Sequence, residues 1–206
     1  MPAQDGCQHP ELLTMPSNNQ SLWDFATGLY SQNAVSQLCL ELQDNYAQDV
    51  CLLLFLCWYG QRFGPMDAEL LSRCQSTSQQ WQDSVVAPLR HSRRWLKQYL
   101  QAESGRLDAG FSQASEEFRE SIKERELAAE RLQFERLLGL LSETAADDAS
   151  KHGSSAEYPG DPGAAITGCL LALPAAVGDP TAAGLQEKLT ELAAAASRFA
   201  QSERES

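Results

Sequence analysis

Basic residues are scarce in this chain: 16 Lys and Arg stand against 28 Asp and Glu, for a net charge of -12 over 206 residues. That balance argues against nucleic acid or an anionic membrane surface as the main partner, because both are held by a basic surface. Long apolar runs are missing too. The longest, VCLLLFLCWY, is about half of the ~20 residues that span a bilayer. The start, MPAQDGCQHPELL, has no early Lys or Arg and no apolar stretch of the kind a secretory signal uses. Six cysteines occur, but none forms a C-x-x-C, and none stands at zinc-ligand spacing from any of the three histidines. Cys39, Cys51 and Cys57 lie in apolar helical text, where a free thiol acts as a small hydrophobe. The expectation is a cytoplasmic protein without metal or cofactor, bound neither to membrane nor to nucleic acid. Also missing are a P-loop, G-x-S-x-G, a Rossmann fingerprint, H-E-x-x-H and the paired E-x-x-H of di-iron bundles. The chain is therefore read as leaning away from an enzyme.

What is present is helical periodicity with little strand alternation. Ser21 and Asp24 fit a capping box ahead of Leu22, Phe25, Ala26 and Leu29. A second helix from Asn33 carries the stripe Val35, Leu38, Cys39, Leu42 and Tyr46. Val50 to Tyr59 is apolar all round, which marks a helix surrounded on every side. Gly60 to Pro65 should end it, and Asp67 should cap a short helix through Leu70 and Leu71. QQWQDSVVAPLRHSRRWLKQYL reads as a long helix kinked or split at Pro88. After a polar loop from Glu103 to Gly110, Ser115 should cap the helix that runs to Ser142.

The expected fold is all-α: a single helical bundle around a buried central helix. Residues 1–20 form an arm, 21–142 the core, 143–163 an acidic Gly/Ser/Pro linker, and 164–206 an Ala-rich helical tail. In that tail Pro174 ends one short helix, and Thr181 starts another with the stripe Leu185, Leu189, Leu192, Ala196 and Phe199. Such a stripe has to dock on the core, pair with another chain, or remain partly disordered.

Chemistry has three candidate locations. Asp44 and Asp49 flank a turn directly before the apolar run; Asp in that position is most simply a helix cap, and alternatively both line one pocket. Arg90, Arg93, Arg94 and Lys97 form a basic cluster, either a solvated face or partners for Asp44, Asp49 or an anionic ligand. Lys123, Glu126 and Glu130 share a helix side with Leu127, Phe134, Leu137, Leu138 and Leu141, so they sit at a wet end or are paired inside. The aspartates faintly resemble those of α-helical prenyl synthases, which need a second such motif that is absent.

LWDFATGLY, LCLELQDNYAQDVCLLLFLCWYG, WQDSVVAPLRHSRRWLK and IKERELAAERLQ, in that order, resemble a family of small proteobacterial conserved hypothetical proteins of unknown function. The resemblance runs from about Ser21 to Leu141. It implies a soluble bacterial protein and brings no activity or catalytic residue. It also implies a polar residue such as Asn where Cys51 stands. The resulting expectation is a non-catalytic interaction or adaptor protein, joined to a protein partner or to itself through the C-terminal tail. The alternative is a small-molecule binder or enzyme using Asp44, Asp49, Arg93, Lys97, Lys123, Glu126 and Glu130.

Overall fold

The computed structural model describes residues 22–147, 158–173 and 182–204, and within them the chain is helical with no strand. Ser21, Pro174 and Thr181, expected at helix ends, lie outside the described residues. Helix α1 (Leu22–Ser31) buries the four periodic residues Leu22, Phe25, Ala26 and Leu29. Helix α2 (Asn33–Tyr46) buries Val35, Leu38, Cys39 and Leu42. Ala47 closes it in a left-handed conformation at φ 52°, an unusual choice for a residue with a Cβ. The amides of Ala47 and Gln48 both return to the Leu42 carbonyl, which satisfies the helix end and turns the chain back at once.

Asp49 then caps α3 (Val50–Phe63), in which every residue from Cys51 to Gly60 is buried. This is the central helix that the apolar run implied. It ends inside the expected Gly60–Pro65 segment, at Gly64, whose φ of 85° suits glycine. Gly60 instead serves packing. A Cβ there would lie 2.8 Å from the Ile166 Cα, so only glycine admits the neighbouring backbone without a shift.

Asp67 caps α4 (Ala68–Trp81) by accepting from the Leu70 amide at 2.8 Å. The helix is longer than the short one expected. It continues through a π-helical turn (Gln82–Val86) into α5 (Ala87–Ala102) without a break. Pro88 neither splits it nor stands in an α-helical interior. Its ring has no N–H and crowds the carbonyl four residues back, and the wider turn just before it relieves that clash. The π-type bond runs from the Ala87 amide to the Gln82 carbonyl.

Helix α6 (Ala109–Asp147) begins before Ser115, because Asp108 accepts from the Phe111 amide at 2.9 Å and supplies the cap. Ser115 is therefore an interior residue. Helix α7 (Pro162–Leu171) starts at an Asp161 cap followed by proline. Helix α8 (Ala182–Arg204) buries Leu185, Leu189, Leu192 and Ala196. Ile166 and Leu170 of α7 join Leu189 and Leu192 in one core cluster with α3. Of the three fates open to the apolar tail, the chain adopts docking on its own core. Helices α1, α2, α4, α6, α7 and α8 all touch α3. By contrast, α5 packs on α6 and the π turn and buries no residue of its own. The α5–α6 pair thus extends from the bundle as a two-helix arm.

Candidate functional site

The polar centre of the molecule is built in two connected layers. The first surrounds Asp49. Its side chain caps α3 by accepting from the Cys51 amide at 3.0 Å and the Leu52 amide at 3.4 Å. It also accepts from Gln82 at 2.9 Å, from Gln133 at 2.5 Å and from the Ser78 hydroxyl. Gln133 donates to Ser78 at 2.6 Å, and Gln82 donates to the Gln133 carbonyl oxygen at 3.0 Å. One carboxylate thereby joins α3, α4, the π turn and α6. The opened turn matters here, since Gln82 is its first residue. Burial pushes the Asp49 carboxyl above the ordinary range, against the downward pull of Ser78, Gln133 and the two amides.

The second layer is ionic. Glu126, buried at 6% exposure on α6, receives two arginines of α5. Arg90 Nε donates at 2.9 Å to Oε1, and Arg93 Nε donates at 2.5 Å to Oε2. Arg90 also reaches Glu130 at 2.9 Å. Burial raises Glu126, but the hydrogen bonds of Arg93 and Arg90 outweigh it and hold the carboxyl below its usual range. Glu130 goes the other way. Burial raises it, Glu126 and Asp49 repel its charge, and Arg90 only partly compensates. The influence of Asp49 on Glu130 connects the two layers electrostatically.

Of the seven residues singled out from sequence, four fall in this centre: Asp49, Arg93, Glu126 and Glu130. Three do not. Asp44 is exposed on α2 and pairs with exposed Arg94 at 3.2 Å, so the two aspartates line no common pocket. Lys123 is exposed and pairs along its own helix with Glu120 at 3.3 Å. Lys97 is exposed on α5, where it borders an open cleft of about 300 Å³ with Ser104, Glu116 and Arg119. Of the two aspartates offered as partners for the basic cluster, Asp44 takes an arginine and Asp49 takes neutral donors. Leu127, placed with the apolar arc by periodicity, is 53% exposed. Sequence reasoning missed Ser78, Gln82 and Gln133. The available signal was Gln133 itself, an amide at the same helical register as Glu126, Ala129 and Leu137.

Chemically the centre is a clamp. Each carboxylate is met by donors within the chain, and no buried side-chain N or O among the described residues lacks a partner. No group of His, Cys, Asp and Glu among them is placed to hold a metal ion. No helix among them is long and apolar enough to cross a membrane. No curated protein and no solved structure matches the chain. The residues of this centre lie inside residues 21–137, which match the model of a protein family of unknown function, DUF2390, and the chain belongs to that family.

Proposed function

We propose that this is a non-catalytic cytoplasmic interaction protein whose docking surface is the α5–α6 arm. One observation carries the reading: a full helix, α5, fully buries no residue and holds an exposed tryptophan against a half-buried tyrosine. Trp95 is 53% exposed and stacks on Tyr99, with ring centroids 5.2 Å apart and planes at 12°. Phe111 and Phe118 of α6 are exposed on the same arm. Aromatic residues and arginine are the groups that anchor protein interfaces.

The charge around the pair indicates the partner's chemistry. Helix α5 contains Arg90, Arg93, Arg94 and Lys97, with no acidic residue. Glu126 and Glu130 neutralise Arg90 and Arg93 inside the arm and Asp44 pairs with Arg94, which leaves Lys97 at the surface beside His91. A protein surface that places an apolar ridge among carboxylates complements this face. The five described cysteines are buried free thiols, which supports a reducing compartment. The closed polar centre supports a structural role for Asp49, Glu126 and Glu130 over ligand binding.

A photo-crosslinking residue at position 95 or 118, in the native host, tests the reading. The expected result is an adduct with one acidic protein, lost on Lys97→Glu and missing when the crosslinker is moved to exposed Glu135 of α6. Adducts indifferent to both changes would overturn it.

A further inference from the structure

The exposed side of α6 carries an apolar pattern of its own, separate from the buried one. Ala114, Phe118, Ser121, Arg125, Ala128 and Leu132 recur at alternating steps of four and three, and all six are exposed. The buried side of the same stretch is made by other residues, Ile122, Glu126 and Ala129. Alternating steps of four and three are the heptad of a coiled coil. Large side chains (Phe118, Arg125, Leu132) hold one core position of that heptad, and small ones (Ala114, Ser121, Ala128) hold the other. Phe118 and Leu132 are 59% and 51% exposed, so their own chain covers less than half of either. Glu117, Glu124 and Arg131 line one flank of the stripe at seven-residue spacing. Glu117, Glu124 and Arg125 form no ion pair among the described residues, and Arg131 stands 4.0 Å from Glu135.

We propose that this stripe is covered by the same stripe of a second copy, laid antiparallel across a two-fold axis at the level of residue 123. The inference rests on the reading of the α5–α6 arm as an interaction surface, and it names the occupant. In that register Phe118 lies over the second copy's Ala128, and Leu132 lies over its Ala114. Each contact sets a large side chain over a small one, which lets the two helices approach closely. Glu117 stands beside the second copy's Arg131. The two Glu124 carboxylates approach each other at the axis, each within one turn of the other copy's Arg125. A two-fold makes every such pair twice. Two glutamates and two arginines from each copy leave the seam neutral, although each chain has a net charge of -12. The second copy is thus an acidic protein that brings the arginines Glu117 and Glu124 lack, and this charge match selects it as the occupant. The seam uses one helix from each copy, so the dimer belongs to the weak, reversible class.

Light scattering on the purified full chain across a concentration series tests it. The chain is expected to pass from monomer to dimer as concentration rises, and Phe118→Glu should weaken the dimer by roughly ten-fold or more. Arg131→Glu should weaken it too, and adding Glu117→Arg should restore it, a recovery that a merely damaged fold would not show. A second measurement needs no change of charge. A photo-crosslinking residue at position 118 of the purified chain should mark Ala128 or its immediate neighbours. Ala128 is ~15 Å away along the same helix, so only another copy presents it to that probe. A chain that stays monomeric at every concentration would overturn the proposal, as would a dimer whose crosslink falls elsewhere. If the purified chain is monomeric while the same probe in the host captures a different protein, the second copy is excluded and the arm remains a docking surface. If the probe captures nothing in either setting, both readings fall.

Discussion

Asp49 shows how much a residue's surroundings add to its local role. As a helix cap alone, its replacement by alanine would cost ~1 kcal/mol. Here it also accepts from Ser78, Gln82 and Gln133, and alanine would leave those donors without their shared acceptor. Asp49→Ala is therefore expected to lose about 3 kcal/mol in urea unfolding, and Asp49→Asn, which keeps one acceptor oxygen, distinctly less. Glu126 and Glu130 make a second comparison, with signs that oppose. Glu126 is held low by Arg93 and Arg90, so its contribution is present above the unfolded glutamate range and disappears as pH falls through the lowered folded value. Glu126→Gln should cost about 2 kcal/mol at neutral pH, and the deficit should shrink in acid. Glu130 is held high, so the folded state takes up its proton more readily than the unfolded chain. Its charge lowers stability as pH rises through that raised value. Glu130→Gln, which can still accept from Arg90, should leave stability at neutral pH equal or greater. Unfolding curves from pH 4 to 8 check both; a loss of similar size for the two variants would refute the assignment.

At the scale of elements, the π turn sets the register of the arm. Gln82 at its start reaches Asp49, and Arg90 and Arg93 beyond it reach Glu126. A π turn is an α-helix with one residue added, and each residue turns a helix by about 100°. Ser84 is exposed within that turn. Ser84→Ala should change stability by less than ~0.5 kcal/mol. Deleting Ser84 should close the wider turn to an ordinary helix, put Pro88 in an α-helical interior and cost about 3 kcal/mol, as proline does there. Thermal unfolding of the two variants separates these outcomes. Pro88 was legible as a disturbance of this helix, but not as the cause of a wider turn. A proline kinks, splits or widens a helix according to what its neighbours must reach, and the neighbours here are on α3 and α6.

For the whole molecule, the tail covers α3. Its Ile166, Leu170, Leu189 and Leu192 are each 1% exposed or less. Burial of such a side chain stabilises by roughly 2 kcal/mol, so four of them rival the 5–15 kcal/mol that holds a typical domain together. A chain truncated after Asp147 is expected to bind a hydrophobic dye and to lose its sharp thermal transition. A truncated chain that melts as cooperatively as the parent would show that α3 does not need this cover.

The sequence by itself determined the helices, the central position of α3, the caps at Asp49 and Asp67 and the acidic balance. Each of these is a local matter: a 3.6-residue period, a carboxylate next to free amides, a run without a polar face. The tertiary structure alone decided which charges meet. Asp44 and Asp49 are five residues apart, yet one faces solvent at Arg94 and the other lies under Gln133, because Ala47 turns the chain between them. It also decided that the tail's apolar stripe closes on α3 and that Arg90 and Arg93 go to Glu126 and Glu130, while Arg94 alone goes to Asp44. Periodicity gives the side of a helix on which a residue stands. What stands opposite depends on how helices distant in sequence cross, and no local pattern encodes that crossing.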